Sequence, residues 1–399
     1  MSWTPQRLDQ LGYLSRGRSR HRPRDAAHLY DGPYPFIQTG DVKHAGLHIT
    51  NYEQTYSEAG LEQSRLWPAG TLCITIAANI ADTAILGIDA CFPDSVIGFI
   101  PDKKKADARF VKYLFDATIQ RRVQQFTQGA AQDNLSQEKL LSIEFKVPGV
   151  GEQTRIGDVV SAYDLLIENN RRRMALLEEA TRQLFREWFV RLRFPGHEHT
   201  LISMGVPEGW EKSTAFAAME VLSGGTPKTT VPDYWDGEIP FYTPKDASDT
   251  CYALRTERAI TETGLKNCNS RLYDPDTVFI SARGTVGKLN LAARPMAMSQ
   301  SCYALKGKGH VSQLFLFCAL KDAIEHFKQR AVGAVFDAIV VDTFKLIPFM
   351  VPSERKVRLF EEAVAPIFRQ VANLMEQNEK LAAARDLLLP RLMSGDLAV

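Results

Sequence analysis

Between Glu152 and Val190 apolar residues return every third or fourth position: Ile156, Val160, Tyr163, Ile167, Met174, Leu177, Leu184 and Trp188, with Asn170 and Thr181 in the same phase. This 3,4 alternation is one face of a long helix with a coiled-coil seam. At 1.5 Å per residue, its roughly 39 residues would run about 58 Å, too long to be the core of one small domain, so a partner of equal length is required. The pattern returns from Glu354 to Met393 through Val357, Phe360, Val364, Ile367, Val371, Leu374, Asn378, Leu381, Leu388 and Leu392. Each seam carries one Asn, Asn170 and Asn378, either to fix register or as a polar residue near solvent in a loose seam. Pro366 is expected to kink or break the second helix near its start, with the seam proper beginning after it.

The stretches ahead of the two helices read as short strands mixed with helix, and they repeat each other. YDGPYPFIQTGDV from Tyr30, read as a turn leading into a strand, matches WDGEIPFYTPKDA from Trp235, 205 residues later, with Asp41 and Asp246 in phase. Gly70 onward (GTLCITIAANIA, a buried strand and polar loop) matches Asp276 onward (DTVFISARGTVG). The amphipathic helix predicted over Ala108–Phe126 matches Val311–Phe327, and Gly129–Pro148 matches Gly333–Pro352. A period this long is a tandem duplication of a whole module, since solenoid repeats run about 20–50 residues. The predicted organisation is a first α/β domain over 1–150, a central helix over 151–195, a second domain over 196–352 and a C-terminal helix over 353–399. Packed antiparallel, two such helices would carry the domains at opposite ends about a pseudo-twofold axis, showing two diverged surfaces to two different targets.

Composition narrows the function. Apolar residues make up 45% and charged residues 24%, enough for real cores. No run of apolar residues is long enough for a membrane span, and the N-terminus lacks the apolar segment of a signal peptide, so no membrane association and a cytoplasmic location are expected. The six cysteines are scattered without a C-x-x-C pair and read as reduced structural thiols. Net charge is only +1, so a nucleic-acid surface must come from the placement of charge. The clearest placement is LSRGRSRHRPR, where Arg16, Arg18, Arg20, Arg22 and Arg24 occupy every second position. Extended, that segment would point its guanidinium groups one way; it also reads as a flexible basic loop or a solvated arm.

Several strings together are diagnostic: LSGGTPKTTVPDYWDGEIPFYTPKDASD (Leu222–Asp249), VFISARGTVGKL (Val278–Leu289), LLEEATRQLFREWFV (Leu176–Val190) and RDLLLPRLMSGDL (Arg385–Leu397). In this order, and with the duplication, the whole chain resembles the specificity subunit of type I restriction-modification systems. The resemblance implies two target-recognition domains, each reading one half of a bipartite double-stranded DNA sequence. The helices would act as a spacer docking two modification (methyltransferase) subunits, with restriction (motor and nuclease) subunits joining the assembly. Adenine methylation with S-adenosylmethionine, and cleavage with ATP and Mg, would belong to those partners; no cofactor, metal or catalytic residue is expected in this chain. Consistent with that, there is no Asn-Pro-Pro-aromatic tetrad, GTVGKL has Ala282 and Leu289 where a P-loop needs Gly and Ser/Thr, and PGVGEQ lacks the third Gly of a dinucleotide loop. Glu144 and Lys146, with Asp102 upstream, form a loose nuclease-like set that the second copy lacks, and His44 and His48 read as a surface pair.

Phosphates take Lys, Arg and backbone N–H groups, whereas base edges take Arg, Lys, Asn and Gln. The candidate DNA contacts in the first domain are therefore the five arginines, then Gln38, Thr39, Lys43, Asn79, Gln132 and Asn134. In the second they are Thr226, Lys228, Tyr242, Thr243, Lys245, Arg283, Thr285, Lys288 and Gln300. The spacer seam is assigned to Ile167, Asn170, Met174, Leu177 and Leu184 against Val371, Leu374, Asn378, Leu381 and Leu388. The competing readings are a dumbbell-shaped scaffold binding proteins, which the near-neutral charge would suit, and a nuclease built on Glu144 and Lys146.

Overall fold

A computed structural model describes residues 3–77, 80–120, 136–330 and 339–399. The chain divides into two compact units, Met1–Asn169 with Asn378–Val399, and Asn170–Gln377.

In the first unit a five-stranded sheet runs Gly12–Arg16, Val96–Pro101, Leu72–Thr75, Thr83–Leu86, His48–Ile49, antiparallel except for the last pair. Successive strand residues face opposite sides. Leu72, Ile74, Ile85, Ile97 and Phe99 therefore pack on one core with Phe110, Val111, Ile156 and Val160, whereas Cys73, Ala84, Leu86 and Val96 pack on the other with Ile37, Trp67 and Phe92. In the second unit the order is Met219–Ser223, Cys302–Gly307, Val278–Ser281, Leu289–Ala292, Tyr252–Ala253, with the same directions. Its sheet is two-sided in the same way, with Val278, Ile280 and Leu291 on one core and Phe279, Ala292 and Ala304 on the other.

The duplication extends to backbone detail. Asp31 and Asp236 both take left-handed φ, 62° and 58°, at the bulges of Tyr30–Phe36 and Trp235–Tyr242. The next residues, Gly32 and Gly237, leave no room for a Cβ, which would lie 2.4 Å from Ser57 Cα and 2.5 Å from the Ile260 carbonyl oxygen, respectively.

The long helices are Val150–Phe185, closed by a π-helical turn at Arg186–Val190, and Glu354–Ser394. Within the first unit they run antiparallel: Asn378 Nδ2 donates to the Ile167 carbonyl at 3.4 Å, Arg385 pairs with Asp164, and Arg155 Nε reaches the Val399 carbonyl at 3.1 Å. Ile167 is buried there, with Leu381 and Leu388 half-buried. Within the second unit Asn170, Met174, Val371 and Leu374 are buried, Leu177 and Leu184 pack at the core's edge, and Phe185 and Phe189 meet Phe360 at 6.0 and 5.1 Å between ring centroids.

Three expectations need correction. The helix Glu354–Ser394 passes through Pro366 without a break, and its packing begins before the proline. Val357, Phe360, Val364 and Phe368 are all buried, and that burial outweighs the one backbone hydrogen bond Pro366 removes. The helix predicted over Ala108–Phe126 is α-helical only to Phe115 and continues as a π-helical turn, Asp116–Gln120. At that turn Asp116 receives bonds from Thr83 and from Lys112, the latter at 2.6 Å. The strand expected after Tyr30 ends at Phe36; Thr39–His44 is a short helix, because the Asp41 carboxylate accepts from the Gln38 amide at 2.7 Å and caps its first turn.

Candidate nucleic-acid interface

In the second unit most of the candidate residues meet where strand ends converge. The carbonyl of Tyr242 accepts from the Ser299 amide at 2.9 Å, and that of Ser301 from the Ala282 amide at 2.9 Å, which sets Thr243–Asp249 and Arg283–Lys288 side by side. The Thr285 hydroxyl donates to the Pro244 carbonyl at 2.9 Å and Lys288 Nζ to Asp249 at 2.8 Å, closing the two loops. Asp246 accepts from the Thr243 amide (2.8 Å), the Thr243 hydroxyl (2.7 Å) and the Glu257 amide (2.7 Å). On the neighbouring connection the Thr226 hydroxyl bonds the side chain of Gln300, and the Lys228 carbonyl accepts from Trp235 Nε1. Arg283, Lys228 and Gln300 stand exposed on this rim, and Lys245 is exposed and pairs with Glu257 at 3.7 Å.

Tyr242 does not belong to this surface. Its ring is wholly buried, its hydroxyl donates to Asn290 Oδ1 at 2.8 Å, and burial raises its pKa. The residue 205 positions earlier, Ile37, is also fully buried, so comparison of the copies marked this as an inward position.

In the first unit the basic segment leaves the strand Gly12–Arg16, is pinned through His21, and bends at Arg22–Pro23. The Gly17 amide donates to the Val96 carbonyl (2.9 Å), Arg18 to Phe92 (3.1 Å) and His21 to the Gln63 side chain (3.0 Å), while the Arg18 carbonyl accepts from Ser64 (2.9 Å). Gly17 and Ser19 turn inward and all five arginines are exposed. They are not equivalent. Among the described residues nothing accepts from the guanidinium groups of Arg16, Arg18 or Arg20. Arg22 bonds the carbonyls of Ser19 and His21 at 2.7 and 2.8 Å, and Arg24 holds both Asp94 oxygens at 3.0 Å. Gln38 is exposed and bonds Gln54 at 2.5 Å; Thr39 opens the short helix and Lys43 is exposed near its end. Asn79, Gln132 and Asn134 lie outside the described residues.

Two further basic groups stack on aromatic rings. Arg65 lies over the rings of Tyr13 (4.9 Å) and Trp67 (4.0 Å) and donates to the half-exposed Tyr13 hydroxyl at 2.8 Å; hydrogen bonding from Ser15 and then Arg65 lowers the Tyr13 pKa. Arg258 lies 3.4 Å from the Trp235 ring. The nuclease-like set does not assemble: Glu144 and Lys146 are solvated around the strand Phe145–Val147, and Asp102 pairs with Lys105 at 3.7 Å. Among the described residues no three His, Cys, Asp or Glu side chains converge as a metal site, and all six cysteines are free.

The sequence matches the family model described as "Type I restriction modification DNA specificity domain" twice, over residues 2–179 and 207–383. The chain belongs to this family. It is a DNA-recognition subunit of the type I restriction-modification class. Among relatives of this specificity protein is the type I restriction enzyme MjaIX specificity subunit of Methanocaldococcus jannaschii, 22% identical over all of this chain and 94% of that one. The HindI specificity subunit of Haemophilus influenzae is 26% identical over 48% of this chain and 42% of that one. In fold, the specificity subunit resembles the crystal structure of the S subunit of a type I restriction-modification system from M. genitalium, at a TM-score of 0.62 and 16% identity, covering 98% of this chain and 96% of that one. Tandem α/β domains joined by long helices are thus the architecture of the specificity subunit. Among the described residues no helix is long and apolar enough to cross a membrane.

Proposed function

We propose that each unit of this specificity subunit reads one half of a bipartite DNA target. The observation that carries this reading is a polar rim on each unit, an arginine strip after the strand Gly12–Arg16 in one and two interlocked Thr- and Lys-bearing loops in the other. In the first half, Arg16, Arg18 and Arg20 contact phosphates, with Gln38, Thr39 and Lys43 beside them. In the second, Arg283, Lys245, Lys228 and Gln300 face DNA, with Thr226, Thr243, Thr285 and Lys288 shaping the loops. Residues 1–150 and 196–352 act as recognition domains, while 151–195 and 353–399 set the spacing between half-sites and dock two modification subunits, to which restriction subunits add. The chain itself performs no chemistry. S-adenosylmethionine, ATP and Mg serve the partner subunits, and no residue here is assigned to hold them.

The test is the host's adenine methylation map with and without the gene. One bipartite motif should vanish on deletion, and exchange of residues 1–150 with those of a relative should alter one half of it. A map unchanged by deletion, with modification subunits that co-purify and are active, would sink the proposal.

A further inference from the structure

The second unit buries a polar side chain that its counterpart lacks. Asn290 lies on the strand Leu289–Ala292, between Val278–Ser281 and the edge strand Tyr252–Ala253, with no exposed surface. Its Oδ1 accepts from the Tyr242 hydroxyl at 2.8 Å and from the Ser248 amide at 3.3 Å. Its Nδ2 donates to the Thr250 carbonyl at 2.6 Å and to the Ser248 carbonyl and hydroxyl, both at 3.3 Å. One buried amide therefore ties the start of the loop Thr243–Asp249 to its end. Between those ties stand Lys245 and Asp249, the latter holding Lys288 of the adjacent loop. In the first unit the strand Thr83–Leu86 carries Ala84 at the matching place and Ile37 stands where Tyr242 does, both fully buried, so that the same junction is apolar. A buried polar group is costly unless all its bonds are made, and then it admits only one arrangement.

We infer that Asn290, with Tyr242, is a positioning residue for sequence specificity. The pair holds the Thr243–Asp249 loop in the single conformation that presents its side chains to one half-site. This rests on the reading of the second unit as a DNA-recognition domain. Asn290 touches no DNA and acts through the loop, so its loss should broaden recognition within one half-site while leaving the other alone. A side chain that merely stabilised the domain would lower modification of every site together and leave the motif unchanged.

The experiment complements a deletion host with the full-length wild-type gene, with Asn290→Ala, or with Tyr242→Phe, and maps adenine methylation genome-wide. Tyr242→Phe removes one hydroxyl and keeps the ring, so the idea remains testable if Asn290→Ala fails to accumulate. The expected result is that discrimination against single mismatches in one half-site falls by about tenfold for Asn290→Ala and by less for Tyr242→Phe, with the other half-site unchanged. An unaltered motif in Tyr242→Phe, or uniform loss of modification in both variants, overturns the inference. If instead the wild-type gene restores no motif, the failure lies with the reading of the unit as a DNA-recognition domain, on which the inference stands.

Discussion

Replacing Arg16, Arg18 and Arg20 together by Ala removes the three guanidinium groups of the strip that have no protein acceptor among the described residues, while the backbone pins at Gly17, Arg18 and His21 remain. On B-DNA each neutralised phosphate contributes about 0.9 to the slope of log K against log salt. If all three arginines contact phosphates, the slope should become shallower by about 2.7, and affinity at roughly 0.15 M salt should fall by about a hundredfold. The loss should be equal on the cognate duplex and on a scrambled one, because phosphate contacts carry no base information. Arg24→Ala is the internal control: its guanidinium already holds Asp94, so it should change the slope by less than half as much per residue. The assay is fluorescence anisotropy of a labelled duplex titrated with the full chain at several salt concentrations, with circular dichroism to verify folding. A folded triple variant whose slope matches wild type refutes the assignment of the strip to phosphate binding. A loss confined to the cognate duplex would instead make the arginines base readers.

Two further outcomes concern stability. Asp164 is mostly buried and accepts from Tyr113 at 2.6 Å while pairing with Arg385, whose side chain is 27% exposed. Tyr113→Phe should cost about 1–2 kcal/mol and Arg385→Ala about 2–3 kcal/mol, the latter below the full buried-pair value because solvent screens part of the charge. The double variant in urea unfolding should show non-additivity of at least about 0.5 kcal/mol, and strict additivity would mean that Asp164 does not link them. Glu361 has its pKa raised, first by burial, against a 2.5 Å bond from Ser312. A raised carboxyl binds more protons folded than unfolded, so its contribution is full below the unfolded value, about 4.3, and is lost as pH rises through the folded one. Thermal unfolding should show Glu361→Gln gaining on wild type toward neutral pH and converging with it in acid; a constant difference across pH would contradict this.

The long helices and the duplication were legible because both are written in spacing, 3 and 4 along the seams and about 205 between the copies. Local rules failed where a distant residue decided. Pro366 reads as a breaker until Val364 and Phe368 are seen to be buried on either side of it. The arginine strip reads as uniform until Asp94, 70 residues from Arg24, claims its last member. Tyr242 reads as a surface hydrogen-bonder until its hydroxyl is found on Asn290, and Arg65, alone in its stretch of sequence, gains meaning only from the rings of Tyr13 and Trp67. Spacing records which face a residue is on, whereas partnership across the sheet is recorded only in three dimensions.

The first unit is assembled from two stretches far apart in sequence, Met1–Asn169 and Asn378–Val399. Leu392 and Met393 are buried in its core, and Gly395 lies against the Trp3 ring. On the ribosome this reverses the usual order in which domains mature. The part made first must wait, with the surface that Leu392 and Met393 will cover still open, until those residues too have been made. Asn170–Gln377, uninterrupted in sequence, has all its own material beforehand. A stop between Gln377 and Leu392 would thus damage the half of the molecule synthesised earliest and leave the material of the later one intact.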